Sequence, residues 1–276
     1  MSSAPSAKRL RIGVFDSGLG GLSVLRAIHA HQADADLLYV ADSGFAPYGE
    51  KPASCVIDRS LRIARFLRAQ GADVLVVACN TATALAIESL RSALPGWPIV
   101  GVEPGIKPAA ARSRNRRVGV LATEGTLRSE RFRLLRQAHA ADVELVLQPC
   151  PGLAAAIELG ELHSPELRAM VAACCAPLRE LGVDTVVLGC THYPFVADVI
   201  SEAMGGTVTL VDTADAVARQ TQWISTGQPG GQREPGPALI ATPSAPQLWS
   251  TGDATLLSTV ARRWLSFDCE VSAISL

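Results

Sequence analysis

Two cysteines with matching surroundings are the residues of this chain best suited to chemistry. Cys79 follows the apolar residues 75–78, Cys190 follows residues 186–189, and small polar residues come after each thiol. A short apolar run rich in β-branched residues that stops abruptly is typical of a buried parallel strand. Because ligands of open α/β sheets bind beyond the carboxyl ends of the strands, we expect both thiols to lie beside a substrate.

Two thiols that face one cleft can move protons on and off a carbon atom. A cysteine of ordinary pKa, about 8.5, loses its proton readily when a cationic group or a helix N-terminus lies beside it. One cysteine would remove a proton from the substrate and the other would return one to the opposite face, which inverts the stereocentre without a cofactor. Asp16 and His192 are the candidates for tuning the thiols and for holding a substrate ammonium group.

A helix is predicted to begin directly after Cys79, at residues 81–85. Helix N-termini stabilise anions, so this one favours both a thiolate and a substrate carboxylate. Asn80 and Thr81 offer hydrogen-bond donors for that carboxylate.

The chain repeats this arrangement. Residues 118–123 echo the strand and loop at residues 12–17, and the step from strand to cysteine is 67 positions in one half (12 to 79) and 72 in the other (118 to 190). The matched offsets predict two similar α/β halves. We expect residues 9–103 and 210–276 to form the first domain and residues 104–209 to form the second.

Apolar periodicity and the positions of Gly and Pro predict the remaining elements. Strands are predicted at residues 11–15, 37–40, 99–103 and 143–147, and helices from residue 22 and over 53–69, 126–138 and 165–181. Residues 209–212 are predicted as a strand that returns to the first half. The tail is predicted to add one more strand and a helix over 255–264. The Gly- and Pro-rich residues 225–246 are predicted as a flexible loop.

The composition argues for a small-molecule partner. Lysine and arginine (25) nearly balance aspartate and glutamate (26), which leaves no basic field for nucleic acid. No apolar stretch reaches the length of about 18 residues that a membrane span needs, and residues 1–11 lack the apolar core of a secretory signal. Seven cysteines, an odd number, do not suggest a disulfide framework, so we expect a reducing cytoplasm.

A nicotinamide site is a competing interpretation of the first loop. Gly18 and Gly20 follow a strand, and Asp42 ends the next strand, as in a dinucleotide fingerprint. The third small position is Ser23, however, and Asp16 would repel a pyrophosphate. The fingerprint is therefore incomplete.

The other cysteines are predicted to be buried small residues. They are Cys55, Cys150, Cys174, Cys175 and Cys269. His29 and His31 are two apart on a predicted helix and diverge, so they make a poor metal pair, and no metal site is predicted.

Four motifs together resemble the glutamate racemase family of bacterial cell-wall synthesis. They lie at residues 15–25, 47–49, 78–82 and 189–194, within a match from about residue 12 to residue 220. The resemblance implies two doubly wound α/β domains related by a pseudo-twofold axis, with the active site in the cleft between them. It also implies cofactor-independent interconversion of L- and D-glutamate in the cytoplasm, which supplies D-glutamate for peptidoglycan.

By position, the resemblance assigns the two bases to Cys79 and Cys190. The groups that it implies as catalytic or supporting partners are Asp16, Asp42, Glu158 and His192. The residues that it implies as substrate-binding are Asp16, Ser17, Tyr48, Gly49, Asn80, Thr81, Thr123, Thr191 and His192, with Thr126 as a further carboxylate contact.

Other functions stay open at this point. An aspartate racemase is the nearest rival, and His192 argues against it because relatives that act on aspartate tend to carry an acid there. A dehydrogenase would bind a dinucleotide, and a non-catalytic interaction protein would keep its activity without either cysteine. No motif reports the oligomeric state, and the resemblance allows a homodimer.

Overall fold

Two β-sheets, in which every strand pair is parallel, organise residues 9–226 and 245–276, the part of the chain that this computed structural model describes. The strands are β1 (Arg11–Asp16), β2 (Asp36–Ala41), β3 (Val74–Val77), β4 (Ile99–Gly101), β5 (Arg117–Ala122), β6 (Glu144–Pro149), β7 (Thr185–Gly189), β8 (Thr209–Val211), β9 (Gln247–Ser250) and β10 (Glu270–Ala273). The first sheet has the order β10-β9-β2-β1-β3-β4 and the second the order β6-β5-β7-β8.

Helices connect the strands and cover the sheets. They are α1 (Leu22–His31), α2 (Ala53–Ala69), α3 (Asn80–Ala93), α4 (Ile106–Arg112), α5 (Glu124–Leu127), α6 (Glu130–His139), α7 (Leu153–Glu158), α8 (Pro165–Glu180), α9 (Ala197–Ala203), α10 (Ala214–Thr226) and α11 (Ala254–Trp264). Of the helices in the described ranges, none is long and apolar enough to cross a membrane.

The same strand order recurs in both halves. The first four strands lie in the order β2-β1-β3-β4, and the next four lie in the equivalent order β6-β5-β7-β8. The cysteine-bearing strands β3 and β7 therefore hold the same place in their sheets, each between the first and the fourth strand of its half. The predicted α/β class with two similar halves is confirmed.

Burial of the strands on both faces explains their apolar sequences. Every residue of β3 and of β7 is buried. In β1, Ile12 and Val14 belong to the core under α1 and α10, whereas Phe15 belongs to the core under α2 and α3. The first of these cores also includes Leu121 and Leu188, so it runs continuously from one half into the other.

The prediction that residues 209–212 return to the first half is wrong. Strand β8 pairs with β7 in the second sheet, with Thr185 opposite Thr209 and Val187 opposite Val211. It is the counterpart of β4, so the repeat itself requires it in the second half. The chain crosses back only afterwards, through α10, where Asp215 Oδ1 lies 2.6 Å from Nε2 of His31 on α1.

Two further expectations differ from the structure. The helix predicted over residues 126–138 is divided into α5 and α6, because the Ser129 hydroxyl caps α6 by accepting the Phe132 N–H at 3.1 Å. The tail adds two strands rather than one, since β9 pairs with β2 and β10 pairs with β9. Of the loop predicted over residues 225–246, positions 227–244 lie outside the described residues.

Candidate active site

Both cysteines lie just beyond the carboxyl ends of equivalent strands. Cys79 comes two residues after β3, Cys190 comes directly after β7, and both are buried. Asp16 ends β1 between β2 and β3, so a carboxylate joins the same edge of the first sheet. The strand pattern thus places these three side chains as the sequence predicted.

Cys79 is held as the N-cap of α3. Its sulfur accepts the Ala82 N–H at 3.5 Å, and its thiol points to Ser17 Oγ at 3.6 Å. Burial and, second, the Asp16 carboxylate raise the pKa of Cys79 to about 12, although its hydrogen bonds with Ala82 and Ser17 act in the opposite direction. Cys79 is therefore a protonated thiol at neutral pH in this arrangement.

Cys190 has a different neighbour. Its sulfur lies 3.6 Å from Nδ1 of His192, and Nε2 of that ring binds the Glu158 carboxylate. Burial alone would lower the pKa of His192, but the negative charge of Glu158 and the contact with Cys190 outweigh it and hold the pKa well above its ordinary value. His192 is therefore cationic at neutral pH, directly beside the sulfur.

Glu158 also joins the two halves. Its Oε1 accepts the Leu19 N–H at 2.5 Å, so the end of α7 is fixed to the loop after β1. Close approach of the backbone is what makes this loop rich in glycine: a Cβ at Gly18 would overlap the Glu158 carboxylate, and one at Gly20 would overlap the His192 ring.

Asp16 forms a second link between the halves. Oδ1 accepts the Gly18 N–H at 2.7 Å, and Oδ2 accepts the Thr191 hydroxyl at 2.9 Å. Burial is the largest influence on Asp16 and raises the pKa of its carboxyl group, while the charge of His192 and the two hydrogen bonds oppose the rise.

A third link lies on the other side of Cys79. Thr81 Oγ1 and Thr123 Oγ1 are 3.0 Å apart, and the Thr123 hydroxyl lies 3.0 Å from that of Thr126. Gly49 packs against this cluster, since a Cβ there would lie 2.8 Å from the Thr123 Cβ. Hydroxyl groups of both halves therefore converge in one cluster at this side.

Asn80 carries a buried polar group with no partner. Its Nδ2 is one of the buried side-chain nitrogens of the described residues that make no hydrogen bond. The residue borders a small cavity of about 10 Å³ that Cys190 and Thr191 also line. A buried donor without an acceptor is costly, so this amide is a candidate for binding a ligand oxygen.

Tyr48 reaches the site through its loop. Its hydroxyl donates to Asp42 Oδ2 at 2.5 Å. Burial and, second, the negative charge of Asp42 raise the pKa of Tyr48, so its phenol stays protonated. Asp42 is itself paired with Arg59 and accepts the Thr251 hydroxyl at 2.7 Å. Arg59 was not among the predicted site residues. A charged residue between Val56 and Ile63 on the apolar face of α2 indicates that it has a buried partner of opposite charge.

These contacts argue against the nicotinamide interpretation. Gly18 and Gly20 make room for Glu158 and His192 of the second half. Asp42, the acid that would bind a ribose, is fully buried and bonded to Arg59. Both parts of the fingerprint therefore have other uses in this fold.

One group of side chains could hold a metal ion. Ligand atoms of Asp16, Glu158 and His192 lie within 4.8 Å of one another. Asp16 already accepts a hydrogen bond from Thr191, and Glu158 accepts one from His192. Such a hydrogen-bonded group suits the transfer of protons. The absence of a metal stays a prediction.

The structure brings the predicted site residues to the meeting edges of the two sheets, and their individual roles stay predictions. Asp16, Ser17, Gly49, Cys79, Thr81, Thr123, Glu158, Cys190, Thr191 and His192 are joined there by the contacts above, and Tyr48 and Asn80 adjoin them.

Known proteins resemble the chain along most of its length. Residues 12–221 match the family described as Asp/Glu/Hydantoin racemase. A glutamate racemase of Pseudomonas aeruginosa is 49% identical over 242 residues, which cover 87% of this chain and 88% of that protein. A glutamate racemase of Ralstonia nicotianae is 54% identical over 208 residues, which cover 75% of each chain.

Solved structures agree with the sequence matches. A glutamate racemase isoform of Bacillus anthracis aligns with a TM-score of 0.84 at 28% identity and covers 98% of both chains. The Escherichia coli glutamate racemase in complex with L-glutamate and the activator UDP-MurNAc-Ala aligns with a TM-score of 0.83 at 29% identity, covering 98% of this chain and 100% of that one. The similarity therefore includes both sheets and the edges where they meet.

Proposed function

Because the chain belongs to the Asp/Glu/hydantoin racemase family, we propose that it is a glutamate racemase in which Cys79 and Cys190 exchange the α-proton of glutamate. One observation carries the proposal. Two buried thiols lie after equivalent strands of equivalent sheets, and each has a different partner for its proton.

The two partners suit the thiols to different roles. Cys79 keeps its proton because burial and Asp16 disfavour its anion. Cys190 lies 3.6 Å from Nδ1 of His192, a ring that can carry a proton next to the sulfur. In one direction of the reaction, Cys190 then acts as the base and Cys79 as the acid.

The proton balance closes within the site. The Cys190 thiolate removes the α-proton and becomes a thiol, and the electron pair left on the carbon takes the Cys79 proton on the opposite face. Cys79 ends as the thiolate, and the first state is restored when Cys190 gives its proton to water and Cys79 takes one from water, or by the reverse reaction. Proton transfer of this kind needs no cofactor, and positioned acids and bases contribute about 10²- to 10⁴-fold each to such reactions.

The remaining polar groups suit the two ends of an amino acid. The unpartnered Nδ2 of Asn80 and the N-terminus of α3 favour a carboxylate. The Thr81, Thr123 and Thr126 hydroxyls add further donors. The Asp16 carboxylate has the negative charge needed to bind the substrate ammonium group. The positive charge of that ammonium group makes the α-proton more acidic.

In a cell, the proposed product would be D-glutamate for peptidoglycan. We place the enzyme in the cytoplasm, because all seven cysteines are free thiols and two of them must stay reduced for the reaction.

The test is an incubation of chelator-treated protein with L-glutamate in heavy water, with L-aspartate in parallel. We expect glutamate to lose optical activity as deuterium enters its α-carbon, at the same rate with and without chelator, and aspartate to stay unchanged. Exchange of aspartate alone would assign the site to the shorter acid. No exchange of either amino acid would overturn the proposal.

A further inference from the structure

A buried ion pair lies behind the loop that carries Tyr48. Arg59 Nη2 donates to Asp42 Oδ1 at 2.7 Å and Arg59 Nε donates to Asp42 Oδ2 at 3.0 Å, with the two side chains 4% and 0% exposed. This two-point contact fixes the orientation of the carboxylate as well as its charge.

Asp42 uses the same two oxygens to hold other elements. Oδ2 accepts the Tyr48 hydroxyl at 2.5 Å, and Oδ1 accepts the Thr251 hydroxyl at 2.7 Å. Thr251 in turn accepts the Gly44 N–H at 3.1 Å. The carboxylate therefore holds the loop between β2 and α2 at two points, near Gly44 at its start and at Tyr48 in its middle.

Arg59 makes two further contacts besides those with Asp42. Nη1 donates to the Leu276 carbonyl at 2.5 Å, and the guanidinium carbon lies 3.8 Å from the centre of the Phe45 ring. A planar guanidinium makes these contacts at once, whereas a lysine ammonium has neither the flat face nor the fork.

The loop held in this way forms one wall of the active site. Tyr48 is 1% exposed, and the next residue, Gly49, packs on Thr123 of the second half. Thr123 bonds Thr81, two residues after Cys79. Contacts thus run without a break from Arg59 to the acid side of the site.

We propose that Arg59 is a positioning residue, which acts through Asp42 to hold Tyr48 and its loop against the cleft. This inference rests on the proposed racemase function for its kinetic consequence. The claim that Arg59 keeps Tyr48 in a fixed environment does not depend on any enzymatic activity.

The experiment compares Arg59→Lys with Arg62→Lys on the same helix. Arg62 forms an exposed i,i+4 pair with Asp58, so the control makes the same chemical change without a buried partner. Tyrosine labelled with ¹³C at the phenol carbon gives one NMR signal for each of the three tyrosines, and Tyr48→Phe assigns the relevant one. We expect the Tyr48 signal to shift or broaden in Arg59→Lys while the other two stay, and all three to stay in Arg62→Lys.

The kinetic arm is a double-mutant cycle. Arg59→Lys and Tyr48→Phe should each lower kcat/KM for glutamate about tenfold, the effect of one hydrogen bond to a charged group. The double variant should lose no more than about a further twofold, because both changes break the same path. Arg62→Lys should leave kcat/KM unchanged.

Other results overturn the inference. Additive losses in the cycle, or an unshifted Tyr48 signal in a folded Arg59→Lys variant, would show that Arg59 only stabilises the fold. If Arg59→Lys does not fold, Thr251→Val takes its place, since it removes another bond to Asp42. A wild-type protein that exchanges no α-proton would overturn the racemase function and leave the NMR comparison to decide the role of Arg59.

Discussion

The Thr191 hydroxyl donates to the Asp16 carboxylate over 2.9 Å, and the two residues are 175 positions apart in the chain. Asp16 ends a central strand of the first sheet, and Thr191 follows a central strand of the second. This one bond therefore connects the two sheet edges on which the thiols lie. Its partners are both buried, which makes the bond costly to break.

Removal of this bond should loosen the contact between the halves. Thr191→Val leaves Asp16 with one hydrogen bond fewer, and we expect the free energy of unfolding to fall by about 1–3 kcal/mol. Thr191→Ser keeps the hydroxyl and serves as the control. Urea denaturation of both variants checks the difference, and equal stability would contradict the role of the bond.

The two cysteines should be separately essential. Cys79→Ser and Cys190→Ser each replace the thiol by a far weaker acid, and we expect the racemisation rate to fall more than about 100-fold in each. Circular dichroism should show an unchanged fold. A single variant that still racemises glutamate at the wild-type rate would remove the two-base mechanism.

The charge of His192 should depend on Glu158. Because the folded pKa of His192 is raised, the stability that its charge contributes should be fully present below the ordinary histidine pKa, about 6.5, and should be lost as the pH rises through the folded value. Glu158→Gln removes the largest influence that raises this pKa and keeps an oxygen for the Leu19 N–H.

NMR titration of the five histidines measures the shift directly. The signal that disappears in His192→Gln should titrate well above the ordinary range in the wild type and at lower pH in Glu158→Gln. The same titration midpoint in both proteins would show that Glu158 does not hold the proton on the ring.

Gly20 should tolerate no side chain. A Cβ there would lie 2.7 Å from Thr191 Oγ1 and would overlap the His192 ring. We expect Gly20→Ala to lower kcat/KM by at least about tenfold and to cost about 1–3 kcal/mol of stability through overpacking. Steady-state kinetics and thermal unfolding test both parts, and a variant with wild-type values would mean that the loop can move aside freely.

Much of the fold followed from local patterns. The apolar run before Cys79 ends one residue after β3, and α2 occupies the predicted residues 53–69. Strand β8 is different, because three residues of extended chain carry no mark of the strand they will pair with. Its place is indicated only by the repeat of the two halves, in which it is the counterpart of β4.

That two thiols follow two buried strands at matched positions could be predicted from the sequence, because strand periodicity and the residues after each strand are local properties. His192, the partner of Cys190, is also a near neighbour in the sequence, whereas the distant partners depend on the tertiary structure. Cys79 meets Ser17 across 62 positions, and Arg59 meets Asp42 from another element. Such pairs depend on how sheets and helices pack, and packing at this distance along the chain leaves no periodic signal in a single sequence.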